Sequence, residues 1–195
     1  MKIVFLRHGE SMGNTNAKFY KDDRTNFLSL RGVLQAQLAA HSIKDLIGGD
    51  DPFDATFVSD MTRSGQTACL VLQTIMDTRD QLIRDPRLNE WGYNATNHNT
   101  WYLAESPDVF WKRIESFYNE TIAPVLDTNV TYLITSHYYT MKGLFGVLGV
   151  QSGYMDSSPA LDPHNADDIP NAVPFFWDSN TMDMPEMVTN KFKNH

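Results

Sequence analysis

The chain has 195 residues, enough for one domain with a sizeable core; 42% are hydrophobic and 21% charged, the balance of a folded protein and not of a disordered one. A formal net charge of −8 sets up a field that repels polyanions, which argues against nucleic acid or an anionic membrane surface as partner. The single cysteine, Cys69, excludes an internal disulfide, and no apolar run reaches the roughly 18 residues of a membrane span, so a cytoplasmic protein is expected.

KIVFL, Lys2 to Leu6, is a continuous apolar run of the kind buried on both faces of a parallel sheet. It runs directly into Arg7, His8 and Gly9, and a buried strand has no use for two ionisable groups at its end unless something beyond the sheet needs them. Ser11 and Ser29 read first as local caps, as does Asn14. From Leu30 to Ile47 the apolar positions Leu34, Leu38 and Leu46, with small Ala36 and Ala39 between them, follow helical spacing, and Gly48-Gly49 supplies a stop. FDATFVS, Phe53 to Ser59, predicts a second strand, and Thr62 to Met76 the helix after it, with Cys69 as core filler. LNEWGYN places Glu90 in a loop between the second and third strands, beside Trp91 and Tyr93. A helix is predicted from Pro107 to Ile122, with Phe110, Ile114, Phe117 and Tyr118 on one face. VTYLITS, Val130 to Ser136, predicts the third strand, followed by Ser136-His137 and a helix over Thr140 to Leu148. Tyr154 to Asp168 is a long loop rich in Ser, Pro and Asp; AVPFFW, Ala172 to Trp177, reads as an edge strand, where Pro174 is tolerated.

Alternating strands and helices predict an α/β three-layer sandwich around a mainly parallel sheet. With no repeat or linker, residues 1–195 are expected to form a single domain, with an insertion at about 91–108 and a late loop at about 151–169. Ligands of such sheets bind beyond the carboxyl ends of the strands. There the sequence places Arg7 and His8, then Ser59, Asp60 and Arg63, then Ser136 and His137. Two arginines and two histidines suit a phosphoryl group: guanidinium forks match its oxygens, and a neutral imidazole can attack phosphorus. Neighbouring guanidinium charges should lower the pKa of His8 and keep it neutral at pH 7. Glu90, shielded by aromatic rings, should have a raised pKa and serve as general acid and then base. His41, His98, His164 and His195 show no metal-ligand spacing, and the aromatic set Trp101, Tyr102, Phe110 and Trp111 reads as packing.

These blocks, RHGES with Asn14, LSLRGVLQA, SDMTRSGQTA, LNEWG, TSH and IPNA, run in order from Arg7 to Ala172 and resemble the histidine phosphatase superfamily, the phosphoglycerate-mutase-like proteins marked by an RHG triplet. The resemblance implies a phosphohistidine on His8, phosphate held by Arg7, Arg63, His137 and Asn14, and Glu90 as proton donor. It implies no metal and no organic cofactor, and a small phosphorylated molecule as the partner. Tyr138 stands where many members have glycine, though either residue offers a backbone N–H. From Trp91 to Trp111 the chain has no Lys or Arg, where mutases of the family look to have arginines that hold a carboxylated phosphosugar. The expectation is therefore a phosphomonoester hydrolase, the alternatives being a phosphoglycerate-type mutase and a phospho-ligand binding module without turnover.

Overall fold

The computed structural model describes residues 1–16, 19, 22–48, 52–76, 82–94, 99–100, 105–151, 169–181 and 184–188. The late loop at Tyr154 to Asp168, and His98, Trp101, Tyr102, His164 and His195, lie outside the described residues. Five helices are described: α1 (Met12–Thr15), α2 (Leu30–Ile47), α3 (Thr62–Met76), α4 (Pro107–Phe117) and α5 (Tyr138–Gln151). The main sheet holds β1 (Lys2–Arg7), β2 (Ala55–Val58), β3 (Leu82–Arg84), β6 (Thr131–Ser136), β7 (Pro174–Asp178) and β8 (Glu186–Met187), in the order β3-β2-β6-β1-β7-β8. A separate small ribbon pairs β4 (Tyr93–Asn94) with β5 (Asn99–Thr100). Strands β3, β2, β6 and β1 are parallel, whereas β7 and β8 are antiparallel to their neighbours.

The three layers follow from the alternation of side chains along β1. Ile3 and Phe5 point into one core with Phe110, Ile114, Phe117, Met141 and Leu144 of α4 and α5. Val4 and Leu6 point into the other, with Ala39, Ala40, Ile43, Val71, Leu72 and Ile75 of α2 and α3. A strand apolar at every position is thus explained by helices on both faces.

Helices α2 and α3 have the predicted bounds, but the buried face of α2 is Gly32, Ala36, Ala39, Ala40 and Ile43, while Leu34 and Leu38 are exposed. The small residues face inward because α2 lies close against its surroundings, and larger side chains would hold it off. Cys69 is exposed and not core filler, since α3 turns Ala68, Val71, Leu72 and Ile75 inward instead. The stretch from Pro107 to Ile122 is α4 followed by a π-type turn over Tyr118–Ile122, which keeps Tyr118 and Ile122 buried. Strand β3 was not foreseen; at three residues it is too short to show a period. The segment read as an edge strand is not one: β7 lies between β1 and β8, and Pro174, which has no N–H to give, accepts at its carbonyl from Val188 N at 2.8 Å. Among the described residues no helix is long and apolar enough to cross a membrane.

The loop leaving β1 presses onto the start of α2. A Cβ on Gly9 would stand 2.4 Å from the Gly32 carbonyl oxygen, and one on Gly32 would stand 2.0 Å from the Glu10 carbonyl oxygen. Both contacts are with backbone, which cannot rotate away. Gly32→Ala is expected to cost about 1–3 kcal/mol of stability, read as a lower urea midpoint with an unchanged slope.

Candidate active site

Each polar group of the site sits just past a strand end. His8 follows β1 and its backbone N–H donates to Ser136 O at 3.0 Å, so the tips of β1 and β6 are tied together. Arg63 lies in the first turn of α3, after β2, and His137 joins β6 to α5. Glu90 follows β3 and a short 3-10 turn, Pro86–Leu88. His8, Arg63, Glu90 and His137 are all buried.

His8 Nδ1–H donates to Gly9 O at 2.8 Å, so the lone pair lies on Nε2. Arg63 Nε donates to that Nε2 at 3.0 Å. Burial first, then the charges of Arg63 and Arg7, hold the His8 imidazole well below its ordinary pKa, against the smaller opposing effect of the Gly9 bond. The ring is therefore neutral and its lone-pair nitrogen faces a cation. The His8 and His137 rings lie 5.1 Å apart between centroids. His137 Nε2 is bonded to Ser59 Oγ at 2.7 Å, and that oxygen also accepts from Met61 N at 3.2 Å. In the tautomer in which the Ser59 hydroxyl donates to Nε2, the His137 proton lies on Nδ1. This Nδ1 is buried with no hydrogen-bond partner among the described residues, a donor ready for an incoming oxygen. Burial, followed by Arg63, His8 and Arg7, also lowers the pKa of His137.

Arg7 Nη1 donates to Ile169 O at 2.7 Å and its guanidinium lies over the Tyr138 ring, 5.3 Å from the centroid. Tyr138 thus supports Arg7, a role its sequence context did not suggest. The IPNA block clamps the same segment: Ala172 N donates to Arg7 O at 3.0 Å and Asn171 Nδ2 to His8 O at 2.8 Å, with Ala172 held at φ +49°. Glu90 Oε1 accepts from Trp91 N at 3.0 Å and Tyr139 N at 3.2 Å, at the N-terminus of α5. Burial raises its pKa above the ordinary 4.5, against weaker lowering by the Trp91 bond, Arg63, Arg7 and Arg113. Asn14 closes a capping box with Ser11: its Oδ1 accepts from Ser11 N and Oγ, both at 3.0 Å, so the local reading of this residue is realised. Ser29 caps α2 by accepting from Gly32 N. Among the described residues no group of three His, Cys, Asp or Glu side chains is placed to hold a metal ion.

Asp23, which pairs with Arg63, escaped the sequence analysis, and so did the bond of Ser59 to His137. Asp23 lies 40 positions from its partner, a separation with no pattern to read. Ser59 was visible beside Asp60 after the second strand, but its partner, 78 positions away, was not.

The family model of the histidine phosphatase superfamily (branch 1) matches residues 3–104, more than half of the chain. The chain belongs to this superfamily. A 2,3-bisphosphoglycerate-dependent phosphoglycerate mutase of Glaesserella parasuis serovar 5 (strain SH0165) is 34% identical over 95 residues, which are 49% of this chain and 40% of that protein. The match thus spans less than half of that relative's length. Among solved structures, the α-ribazole phosphatase from Shigella flexneri superposes with a TM-score of 0.66 at 21% identity, covering 100% of both chains. The ecdysone phosphate phosphatase from Bombix mori, in complex with tungstate, gives 0.69 at 16% identity, covering 100% of this chain and 95% of that one. At these identities the two structures share the fold with this superfamily member, whose six-stranded mixed sheet between helices is that of the phosphoglycerate-mutase-like proteins.

The buried carboxyl of Glu90 makes a prediction about stability. Its pKa is raised in the folded state, so its contribution to stability is fully present below about 4.5 and is lost as pH rises through the folded value. Glu90→Gln keeps an acceptor for both backbone donors and removes the charge. The variant is expected to exceed the wild type in stability at pH 8, with the gap closing towards pH 4, as measured by urea melts across that range.

Proposed function

We propose that this protein is a phosphomonoester hydrolase working through a phosphohistidine on His8. The observation that carries the reading is the oriented, neutral imidazole: Nδ1 is fixed by Gly9 O and Nε2 faces the Arg63 guanidinium. In the first step the Arg63 Nε–H passes from Nε2 to an oxygen of the bound phosphate, which frees the lone pair; Nε2 attacks phosphorus in line, the P–O ester bond breaks, and protonated Glu90 gives its proton to the departing oxygen. Arg7, Arg63 and the Nδ1–H of His137 stabilise the equatorial oxygens, with Asn14 Nδ2 as a further contact. In the second step a water attacks phosphorus, Glu90 takes its proton, the N–P bond breaks, and His8 returns to its starting form. The protein's own groups account for every proton moved.

Hydrolysis is favoured over mutase chemistry by the fate of a further cation, Arg113. Arg113 lowers the pKa of both Glu90 and His137, so its charge is felt at the site. Its guanidinium is nevertheless committed: Nε donates to Glu105 Oε1 at 2.6 Å, Nη2 to Oε2 at 2.9 Å, and Nη1 to Arg87 O at 2.6 Å. Glu105 also accepts from Gly92 N and, at its carbonyl, from Trp91 Nε1, which anchors the base of the insertion. Arg113 therefore braces the insertion and is not offered to a substrate carboxylate. With no Lys or Arg from Trp91 to Trp111, a neutral leaving group such as a sugar or nucleoside fits better than a phosphoglycerate. A purely binding role is disfavoured, because phosphate capture gains nothing from a buried carboxyl at the site.

Phosphate release from a panel of small phosphomonoesters in excess chelator is the direct test. His8→Ala is expected to lower kcat/KM by roughly a thousandfold or more, and equal release by both proteins would defeat the assignment. Glu90→Gln is expected to lose the basic-side limb of the pH profile of turnover, since that limb reports deprotonation of the acid. Conversion of one phosphoglycerate isomer into the other by the wild type would transfer the reading to a mutase.

A further inference from the structure

Arg63 has few free choices. Beyond its bond to His8, Nη1 donates to Asp23 Oδ1 at 2.9 Å and Nη2 to Met61 Sδ at 3.7 Å. Asp23 is itself buried, in a 3-10 turn whose start is capped by Asp22. Its second oxygen, Oδ2, accepts from Thr62 N at 2.9 Å and Thr62 Oγ1 at 3.3 Å. One carboxylate thus spans the first residue of α3 and the guanidinium of the next. An arginine side chain has several rotatable bonds and five N–H donors, so its location alone does not decide which donor meets the nucleophile. The anchor at Nη1 decides it, leaving Nε as the group that reaches His8.

The charges around His8 give Asp23 a second effect. Arg7 comes from β1, Arg63 from α3, and Arg113 stands further off on α4; burial lowers the pKa of His137 and raises that of Glu90. Asp23 forms a buried ion pair with Arg63, and it offsets one guanidinium charge where a phosphate dianion must first bind and then leave.

We propose that Asp23 is a positioning residue of the phosphate cradle, aiming Nε of Arg63 at the attacking nitrogen and moderating the positive charge that holds the phosphate product. The inference rests on His8 being the nucleophile. A purely structural Asp23, serving only to cap α3, would alter stability without altering the electrostatics of His8 or the grip on phosphate.

The test compares wild type, Asp23→Asn and Asp23→Ala by three measurements: kinetics on p-nitrophenyl phosphate across pH, NMR titration of the His8 ring, and calorimetry with inorganic phosphate. Asp23→Ala frees Nη1 and is expected to lower kcat by about a hundredfold with a smaller change in KM, the scale of a misplaced catalytic group. Asp23→Asn retains one acceptor for Nη1 and is expected to recover most of that loss. Both substitutions leave Arg63 uncompensated, so the His8 titration and the acid-side limb of kcat/KM should move to lower pH. Asp23→Asn should also bind inorganic phosphate more tightly than the wild type. Unchanged His8 titration and unchanged phosphate affinity in folded Asp23→Asn would overturn the proposal, whether or not Asp23→Ala folds. If the wild type releases no phosphate from the ester, the hydrolase reading fails on that measurement, while the titration and calorimetry still decide the role of Asp23.

Discussion

A neutral imidazole held against buried guanidinium groups is the interaction on which the rest of the site depends. Like charges would drive the groups apart if the ring were protonated, and burial adds to the cost of that second charge. The protein resolves the conflict in favour of the lone pair: Gly9 O fixes the proton on Nδ1 of His8, and Arg63 meets the free nitrogen. The same low-dielectric setting raises the pKa of Glu90. One cause, removal from water, thus acts with opposite sign on a cation and an anion, lowering the pKa of His8 and raising that of Glu90.

Holding these groups takes an interlocking frame. Thr67 Oγ1 accepts from Gly9 N at 3.0 Å and donates to Arg63 O at 2.8 Å, so α3 is fastened to the loop that carries His8. Ser64 Oγ donates to Thr135 O at 2.7 Å and Ser136 Oγ to Leu88 O at 2.7 Å, tying β6 to α3 on one side and to the approach to Glu90 on the other. Asn89 bonds Asp60 twice, through Asp60 N to Oδ1 and Nδ2 to Asp60 Oδ2, and its carbonyl accepts from Thr140 Oγ1. These ties join short polar side chains to backbone or to one another, nearly all across separate elements, which suits a site whose geometry must not drift by an ångström.

Such a frame carries a cost in stability that the two cores offset. The left-handed backbone of Ala172, the backbone contacts at Gly9 and Gly32, and the buried carboxyl of Glu90 are all local departures from what is most stable. They cluster on the rim where β1 ends, while Ile3 to Leu6 of β1 and Leu133 and Ile134 of β6 beneath them are completely buried. Rigid packing under a strained rim is how the sheet keeps its polar end in place.

The sequence by itself determined the alternation of elements, the bounds of α2 and α3, and the identity of the groups at the strand ends, because each of these is written in neighbouring residues. Period, cap and strand-end position are local, and the convergence of Arg7, His8, Arg63 and His137 follows once parallel strands are assumed. Tertiary structure alone decided which face of α2 is buried, since the close approach of other backbone selects alanine and glycine over the leucines that carry the stronger periodic signal. It decided that β7 is an inner strand, because the two-residue β8 beside it has no sequence signature. It also decided the partners that set direction and protonation: Asp23 for Arg63, Ser59 for His137, Tyr138 for Arg7, and Glu105 for Arg113. Hydrogen bonds and ion pairs between residues far apart in the chain depend on ångström distances fixed by packing, and no spacing in the sequence encodes them.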